Sequence, residues 1–315
     1  MKSDSAPLCA QQARVRQVNV SEGRGCISRS LAGSVLLSVF FALVVRAGTA
    51  ETEEKPIEVE KPGKAPWIGK YPMSGFVRVR TAKTVGKDHL SLSLKTQYWD
   101  NDEYLDETAC YCDLAGEDCS TKFSAVLCAK YGWARDHHLA FGVPYLRNDQ
   151  DFKGKTLDTS GIGNVFVFEK WNLIRETNRV PGVSVDVWYY FPTGDTERKI
   201  GKDDYAWKLT TEVSKAWKDF SVHINPAYRF SEGRDCDVIE GNAMIVFTPL
   251  KTFWPAIEYN YTYKEGAGRC HDIVPGFVWK FAPVATFKLG AVINADTTMR
   301  FKDEVGVVAK FFYGF

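Results

Sequence analysis

Residues Arg300–Phe315 read RFKDEVGVVAKFFYGF. Counting back in twos from the end, Phe315, Tyr313, Phe311, Ala309, Val307 and Val305 form one set, all apolar or aromatic. The intervening Gly314, Phe312, Lys310, Val308, Gly306 and Glu304 are mixed and partly charged. A period of two describes a strand with two unlike faces. Two settings produce such a strand. One is the closing strand of a membrane barrel, whose outer face meets lipid and whose aromatics sit at the interface. The other is a buried strand ending a soluble sandwich.

The rest of the chain separates the two. Leu90, Leu92, Leu94, Thr96 and Tyr98 oppose Ser91, Ser93, Lys95 and Gln97, and Ile257, Tyr259, Tyr261 and Tyr263 oppose Glu258, Asn260, Thr262 and Lys264. Strands are expected at about 90–99, 122–134, 138–149, 161–175, 182–194, 204–217, 220–231, 237–250, 254–265, 270–283, 285–296 and 303–315, with 161–175 ambiguous in phase. That is an even number, as bacterial single-chain barrels require. Short links near 135–137, 177–181, 218–219, 251–253 and 284 alternate with mostly longer ones at 100–121, 150–160, 195–203, 232–236, 266–269 and 297–302. Barrels alternate tight periplasmic turns with longer outer loops; a sandwich has no cause to. The expected fold is all-β: a transmembrane antiparallel up-and-down β-barrel of about twelve strands, closed by the C-terminal strand. The ending also resembles the C-terminal assembly signal of bacterial outer-membrane barrels, carried here by Tyr313 and Phe315. That resemblance implies outer-membrane lipid and the barrel-assembly machinery as partners.

The chain has 315 residues, 25% of them charged and 14% aromatic, with a net charge of +1. The charge balance gives no reason to expect nucleic acid as a partner. Residues 1–50 read as a cleaved signal peptide: a basic region with Lys2, Arg14, Arg16, Arg24 and Arg29, an apolar core from Leu31 to Val45, then Gly48-Thr49-Ala50. An uncleaved anchor is the alternative. Residues 51–75, rich in Glu, Lys and Pro over their first part, are expected to be a disordered periplasmic lead-in, and 76–315 the outer-membrane barrel. Phe76 to Ala82 reads as a short extra strand or a plug segment.

Gly161-Ile162-Gly163-Asn164 opens one expected strand, and the next ends in Phe191-Pro192-Thr193-Gly194-Asp195. These two motifs resemble the bacterial outer-membrane barrels named for the meta-pathway of phenol degradation. The resemblance spans roughly residues 75–315 and is clearest from Gly161 to Phe230; Asn164 stands where the family pattern has Asp. It implies a channel or transporter for small molecules, aromatic or hydrophobic compounds among them. Pro192-Thr193-Gly194-Asp195 itself reads as a turn leaving a strand.

Six cysteines remain after the signal: Cys110, Cys112, Cys119, Cys128, Cys236 and Cys270. An even count in an exported chain reads as disulfides. Cys236 with Cys270, and Cys110 or Cys112 with Cys119, are the pairings topology allows, with Cys128 taking the third loop cysteine. A metal site using Cys110, Cys112, Cys119 and His271 is the alternative, but the spacing matches no zinc pattern, and neither metal nor cofactor is expected. His137 and His138 are expected at a solvated periplasmic turn.

The alternation assigns a lumen-facing set along the substrate path: Lys95, Lys130, Asp186, Trp188, Tyr190, Lys208, Glu212, His223, Arg229, Glu258 and Lys280. Lys288, Lys310 and Glu240 share that face. The expected function is passive passage of small solutes through a polar, mildly basic lumen. The alternatives are a structural or interaction barrel with a filled lumen and stapled loops, and, further off, a membrane-embedded hydrolase. His223 has no evident nucleophile beside it in sequence and no GxSxG is present, so enzymatic activity is not expected.

Overall fold

The computed structural model describes residues 78–315 apart from 106–110, 114–118, 153–154, 199, 232–236, 265–266 and 299–300. Side chains are described for the same residues less 101–105, 111–113, 119, 151–152, 155–157 and 301–304. The expected signal segment and lead-in lie outside this range.

Fourteen strands form one antiparallel sheet: β1 (Leu90–Leu105), β2 (Tyr111–Asp113), β3 (Cys119–Ala134), β4 (His137–Phe152), β5 (Lys155–Ile162), β6 (Phe166–Ile174), β7 (Gly182–Tyr190), β8 (Ala206–Ala216), β9 (Phe220–Ser231), β10 (Val238–Phe247), β11 (Phe253–Lys264), β12 (Gly268–Ala282), β13 (Ala285–Thr297) and β14 (Phe301–Gly314). β14 pairs with β1 from Ser91↔Gly314 to Tyr104↔Phe301, which closes the sheet. β5 and β6 form one stave: β5 pairs with Tyr145–Phe152 of β4, and β6 with His137–Gly142. β2 is a short addition against the end of β1. The result is a closed barrel of twelve staves plus one extra strand.

The outer ends run further than the alternation predicted. The expected link at 100–121 contains the end of β1, β2 and the start of β3, and most of the expected loop at 150–160 is a ladder between β4 and β5. The stave at 161–175 was ambiguous for a physical reason. Residues 163–165 leave the ladder, and the register slips again between Asn172 and Ile174.

The two faces differ as a lipid-spanning barrel requires. Leu127 on β3 is 56% exposed, and Leu94, Phe141, Ile257, Val307 and Phe311 point outward with it. Tyr131 and Trp133 on β3, Trp217 and Phe220 around the β8–β9 turn, and Trp279 and Phe281 on β12 ring the end that carries the short turns. An apolar band edged by aromatics is the outer surface of a transmembrane barrel. No helix among the described residues is long and apolar enough to cross a membrane.

The inside is packed. Residues 78–86 thread the lumen, and among them only Arg80 forms a strand-like bridge, so of the two expected alternatives for this stretch, extra strand or plug, the described part is a plug. Polar lumen side chains satisfy its backbone, which has no sheet ladder of its own. Glu258 accepts from the Arg78 N–H at 2.6 Å, Asn225 from the Arg80 N–H at 2.5 Å, and Ser214 from the Ala82 N–H at 2.9 Å. Asn225 donates back to the Arg80 carbonyl at 3.1 Å, and Lys170 donates to that of Thr81. Val79 packs into an apolar cluster with Met244, Val246, Trp254, Val274 and Val278. The plug leaves the wall where Gly86 (φ 90°) crosses Gly132; a Cβ on Gly132 would lie 1.6 Å from the Gly86 carbonyl oxygen. Only glycine allows that approach.

Candidate functional site

A cavity of about 220 Å³ remains beside the plug. Its positive wall is Arg78 and Arg80 from the plug with Lys95 (β1), Lys130 (β3), Lys208 (β8) and Lys310 (β14). Among the described residues Glu240 is the one acidic side chain lining it, and it is ion-paired with Lys208. Across the closing seam the register places Lys288, Lys310 and Lys95 in one row, Lys288↔Lys310 between β13 and β14 and Lys310↔Lys95 between β14 and β1. Directly opposed residues have Cβ atoms about 4.5–5.5 Å apart, and like charges so placed destabilise a sheet. The row of three lysines concentrates positive charge along this seam.

The facing wall is aromatic. Phe166 and Phe168 on β6 and Trp188 and Tyr190 on β7 line the same cavity. Phe168 stacks on Trp188 with centroids 3.9 Å apart, and Phe166 lies 5.1 Å from Trp188 and 5.7 Å from Tyr190. Gly142 on β4 makes room, since a Cβ there would sit 2.1 Å from the Phe166 ring. The Arg80 guanidinium covers Trp188 at 3.9 Å and Phe168 at 4.7 Å, a cation–π arrangement. Its Nη1 also reaches Asp186 Oδ2 at 3.4 Å.

Next to this wall lies a buried charge cluster. Lys170 pairs with Glu212 and lies 3.8 Å from Asp186, and Ser184 donates to Glu212 at 2.6 Å. All four are at most 3% exposed. Buried charges persist where they are paired and hydrogen-bonded, and here they brace the plug, since Lys170 and Arg80 both belong to the network.

The sequence-derived lumen set falls into separate places. Lys95, Lys130, Trp188, Tyr190 and Lys208 meet at the cavity. Asp186 and Glu212 lie in the buried cluster, Glu258 holds the plug, and Arg229 is the register partner of Lys208. Lys280 stands apart at the turn end of β12, where its N–H donates to the Thr252 carbonyl at 2.7 Å. Sequence reasoning missed Arg78 and Arg80, which sit on no regular strand, and Phe166 and Phe168, which sit on the stave with broken phase. Their signal was present: once Lys170 is placed inward, period two carries Phe168 and Phe166 inward with it.

His138 departs from expectation. It is 2% exposed and accepts from the Val85 N–H at 3.3 Å through Nδ1, edge-on to Phe168. The turn ends at Asp136, so inward parity already applies at His138. His223 does have hydroxyls beside it, Ser221 Oγ 3.0 Å from Nε2 and Ser214 Oγ 2.9 Å from Nδ1. Both serines are buried, and Ser214 also accepts from the plug, so the trio works as a hydrogen-bond bridge between wall and plug.

Cys128 and Cys270 carry free thiols. Cys128 faces inward at the cavity, and Cys270 Sγ accepts from Asn294 at 2.9 Å and lies 3.2 Å from Asp272. Cys110, Cys112, Cys119 and Cys236 lie outside the described side chains. Tyr313 and Phe315 pack together at 4.8 Å, and the Phe315 N–H donates to the Leu90 carbonyl at 2.8 Å, tying the chain end to the first strand.

The two family-like motifs meet in space. Asn164 Oδ1 accepts from the Gly194 N–H at 3.1 Å and the Lys202 N–H at 3.2 Å, while its Nδ2 donates to the Lys202 carbonyl at 3.0 Å. Thr193 Oγ1 accepts from the Val165 N–H at 2.9 Å and donates to the Gly163 carbonyl at 3.1 Å. This clasp spans the break between β5 and β6. It also suggests why Asn fits at 164, because the amide both accepts and donates there.

No family profile matches the sequence, and no curated protein matches it. Solved structures do resemble the fold. The COG4313 outer membrane channel from Pseudomonas putida F1 superposes with a TM-score of 0.62 at 12% identity, covering 74% of this chain and 97% of that one. The KdgM porin in complex with disordered oligogalacturonate gives 0.44 at 12% identity over 72% and 99%, and the CymD monoaromatic hydrocarbon channel 0.43 at 9% over 72% and 88%. At these identities the likeness is one of fold alone.

Proposed function

We propose that the chain is an outer-membrane channel for small solutes, exported with a cleaved signal peptide and admitting anions in preference to cations. One observation carries the reading: among the described residues six basic side chains line the cavity, four from the barrel wall and two from the plug, against one acid. A low-dielectric tube lined by one sign of charge raises the local concentration of the opposite one. The fold shared with the COG4313 outer membrane channel supports the membrane setting, and the motifs at 161–164 and 192–195 support a small-molecule transporter. The barrel-assembly machinery takes the final strand through Tyr313 and Phe315. Within the first loop, Cys110 or Cys112 is proposed to pair with Cys119.

A structural barrel is the second reading, favoured by the hydrogen-bonded plug and the apolar cluster around Val79. Uptake into protein-loaded liposomes separates them. The channel reading expects acetate and chloride to enter faster than ammonium and sodium once counter-ion permeability is supplied. Uptake no faster than in protein-free liposomes sinks it in favour of the filled barrel.

A further inference from the structure

We propose that the turn end of the barrel binds the headgroup of an anionic phospholipid through Arg135 and Arg179. The proposal rests on the membrane setting of the channel reading and is independent of conduction. The exposed arginines among the described residues are Arg135, Arg147, Arg175, Arg179, Arg198 and Arg269. At the loop end Arg147 pairs with Asp149 and Asp158, Arg198 with Asp195 and Arg269 with Asp296. At the turn end Arg175 pairs with Asp136. Of the six, Arg135 and Arg179 make no ion pair among the described residues. Both stand at the turn end, on the β3–β4 and β6–β7 turns, which are neighbours because β4 pairs with β6. Such turns lie two strand spacings apart, about 10 Å, so the two guanidinium groups serve one patch of headgroups.

The backbones that carry them are pinned. Arg135-Asp136 is a two-residue turn closed by the pair Ala134↔His137, and the Asp136 carbonyl accepts from the Asn172 N–H at 2.8 Å. Thr177 Oγ1 accepts from the Arg179 N–H at 3.3 Å and the Val180 N–H at 3.0 Å. Lys215 donates to the Thr177 and Asn178 carbonyls at 2.6 and 2.8 Å. The nearby acids are engaged in the same stitching: Asp136 holds Arg175, and Glu176 accepts from the Ala216 N–H at 2.5 Å. On the membrane side of these turns Trp133 and Leu173 are 49% and 58% exposed. Large apolar groups with cations just beyond them match a bilayer interface, where rings sit at headgroup level. A guanidinium meets a phosphate with two parallel N–H bonds. Basic side chains near a bilayer surface favour lipids of net negative charge; a zwitterionic headgroup adds an ammonium that they repel.

Native mass spectrometry of the purified full chain in detergent tests this, with phosphatidylglycerol and phosphatidylcholine of matched acyl chains as probes. Phosphatidylglycerol is expected to be retained roughly fivefold or more tightly, about the effect of one base near an anionic lipid. Arg135→Gln combined with Arg179→Gln is expected to bring the two lipids level. Arg147→Gln combined with Arg269→Gln, at the loop end, is expected to leave the preference intact. Equal retention of the two lipids by the unaltered protein overturns the proposal and leaves the membrane setting in place; retention of neither refutes the membrane setting itself. A preference that survives the turn-end double variant, or falls as far in the loop-end one, also overturns the proposal. So does co-sedimentation with purified peptidoglycan that depends on the same two arginines without any lipid preference, which assigns the turns to the cell wall. Should the turn-end double variant fail to fold, judged by heat-modifiable migration, Arg179→Gln alone and the lipid comparison on the unaltered protein decide.

Discussion

Replacing Leu127 by Arg tests whether the outward face meets hydrocarbon. Leu127 is 56% exposed on β3, flanked by Leu94 on β1 and Val143 on β4. Along the same face the exposed aromatics Phe123 and Tyr131 lie four residues away on either side. With a rise of about 3.4 Å per residue and a tilt of about 40°, each lies about 10 Å along the membrane normal from Leu127. That puts Leu127 near the middle of an apolar band about 25 Å tall. Arginine at the midplane of a barrel's lipid face costs about 2–4 kcal/mol, falling to about 0–1 near the interface. The folding equilibrium should therefore drop roughly 30- to 700-fold. Lys130→Arg, three residues on and inward, keeps its charge in the lumen and should cost little. Guanidinium unfolding of vesicle-inserted protein, followed by heat-modifiable migration, measures both. Equal midpoints for the two variants would refute the facing assignment and the lipid setting with it.

Three further outcomes follow from other parts of the barrel. Arg175 Nε donates to Asp136 at 2.7 Å across the short turn, and this hydrogen bond holds the Asp136 carboxyl below the usual carboxylate range. The stabilisation is then present above the unfolded-state pKa of about 3.9 and lost as pH falls through the lower folded value. Asp136→Asn should be less stable than the parent by under about 1 kcal/mol at pH 7, as for exposed pairs, with the difference vanishing in strong acid; a pH-independent difference would contradict the sign. Gly142→Val should push the Phe166 ring off its seat at a cost of about 1–3 kcal/mol, the range for overpacking, and alter the near-ultraviolet dichroism of the aromatic wall; an unchanged spectrum would mean the wall is not packed as described. Deleting Phe315 removes the hydrogen bond to Leu90 and the contact with Tyr313, so it should lower the folded fraction recovered in the outer membrane; full recovery would deny the chain end a role in assembly.

The stave positions were legible because period two survives wherever a strand has lipid on one side and lumen on the other. It failed where the backbone departs from that pleat. The break at 163–165 and the slip near Ile174 hid the inward parity of Phe166 and Phe168. Arg78 and Arg80 were hidden for another reason: the plug makes its hydrogen bonds with side chains on β4, β6, β8, β9 and β11, and such partners leave no periodic trace in the plug's own sequence. The lysine row was half legible. Each lysine could be placed inward from sequence, but that three of them stand side by side depends on the β13–β14–β1 register.

Ion current through single molecules in a planar bilayer addresses the channel most directly. Purified full-length protein under a potassium chloride gradient should give discrete conductance steps, with a reversal potential on the chloride side. Replacing Lys95 and Lys310 by Glu should move that potential toward the potassium side. A membrane that takes up the folded barrel yet shows no steps, or steps whose reversal potential ignores the lysine row, would contradict the account.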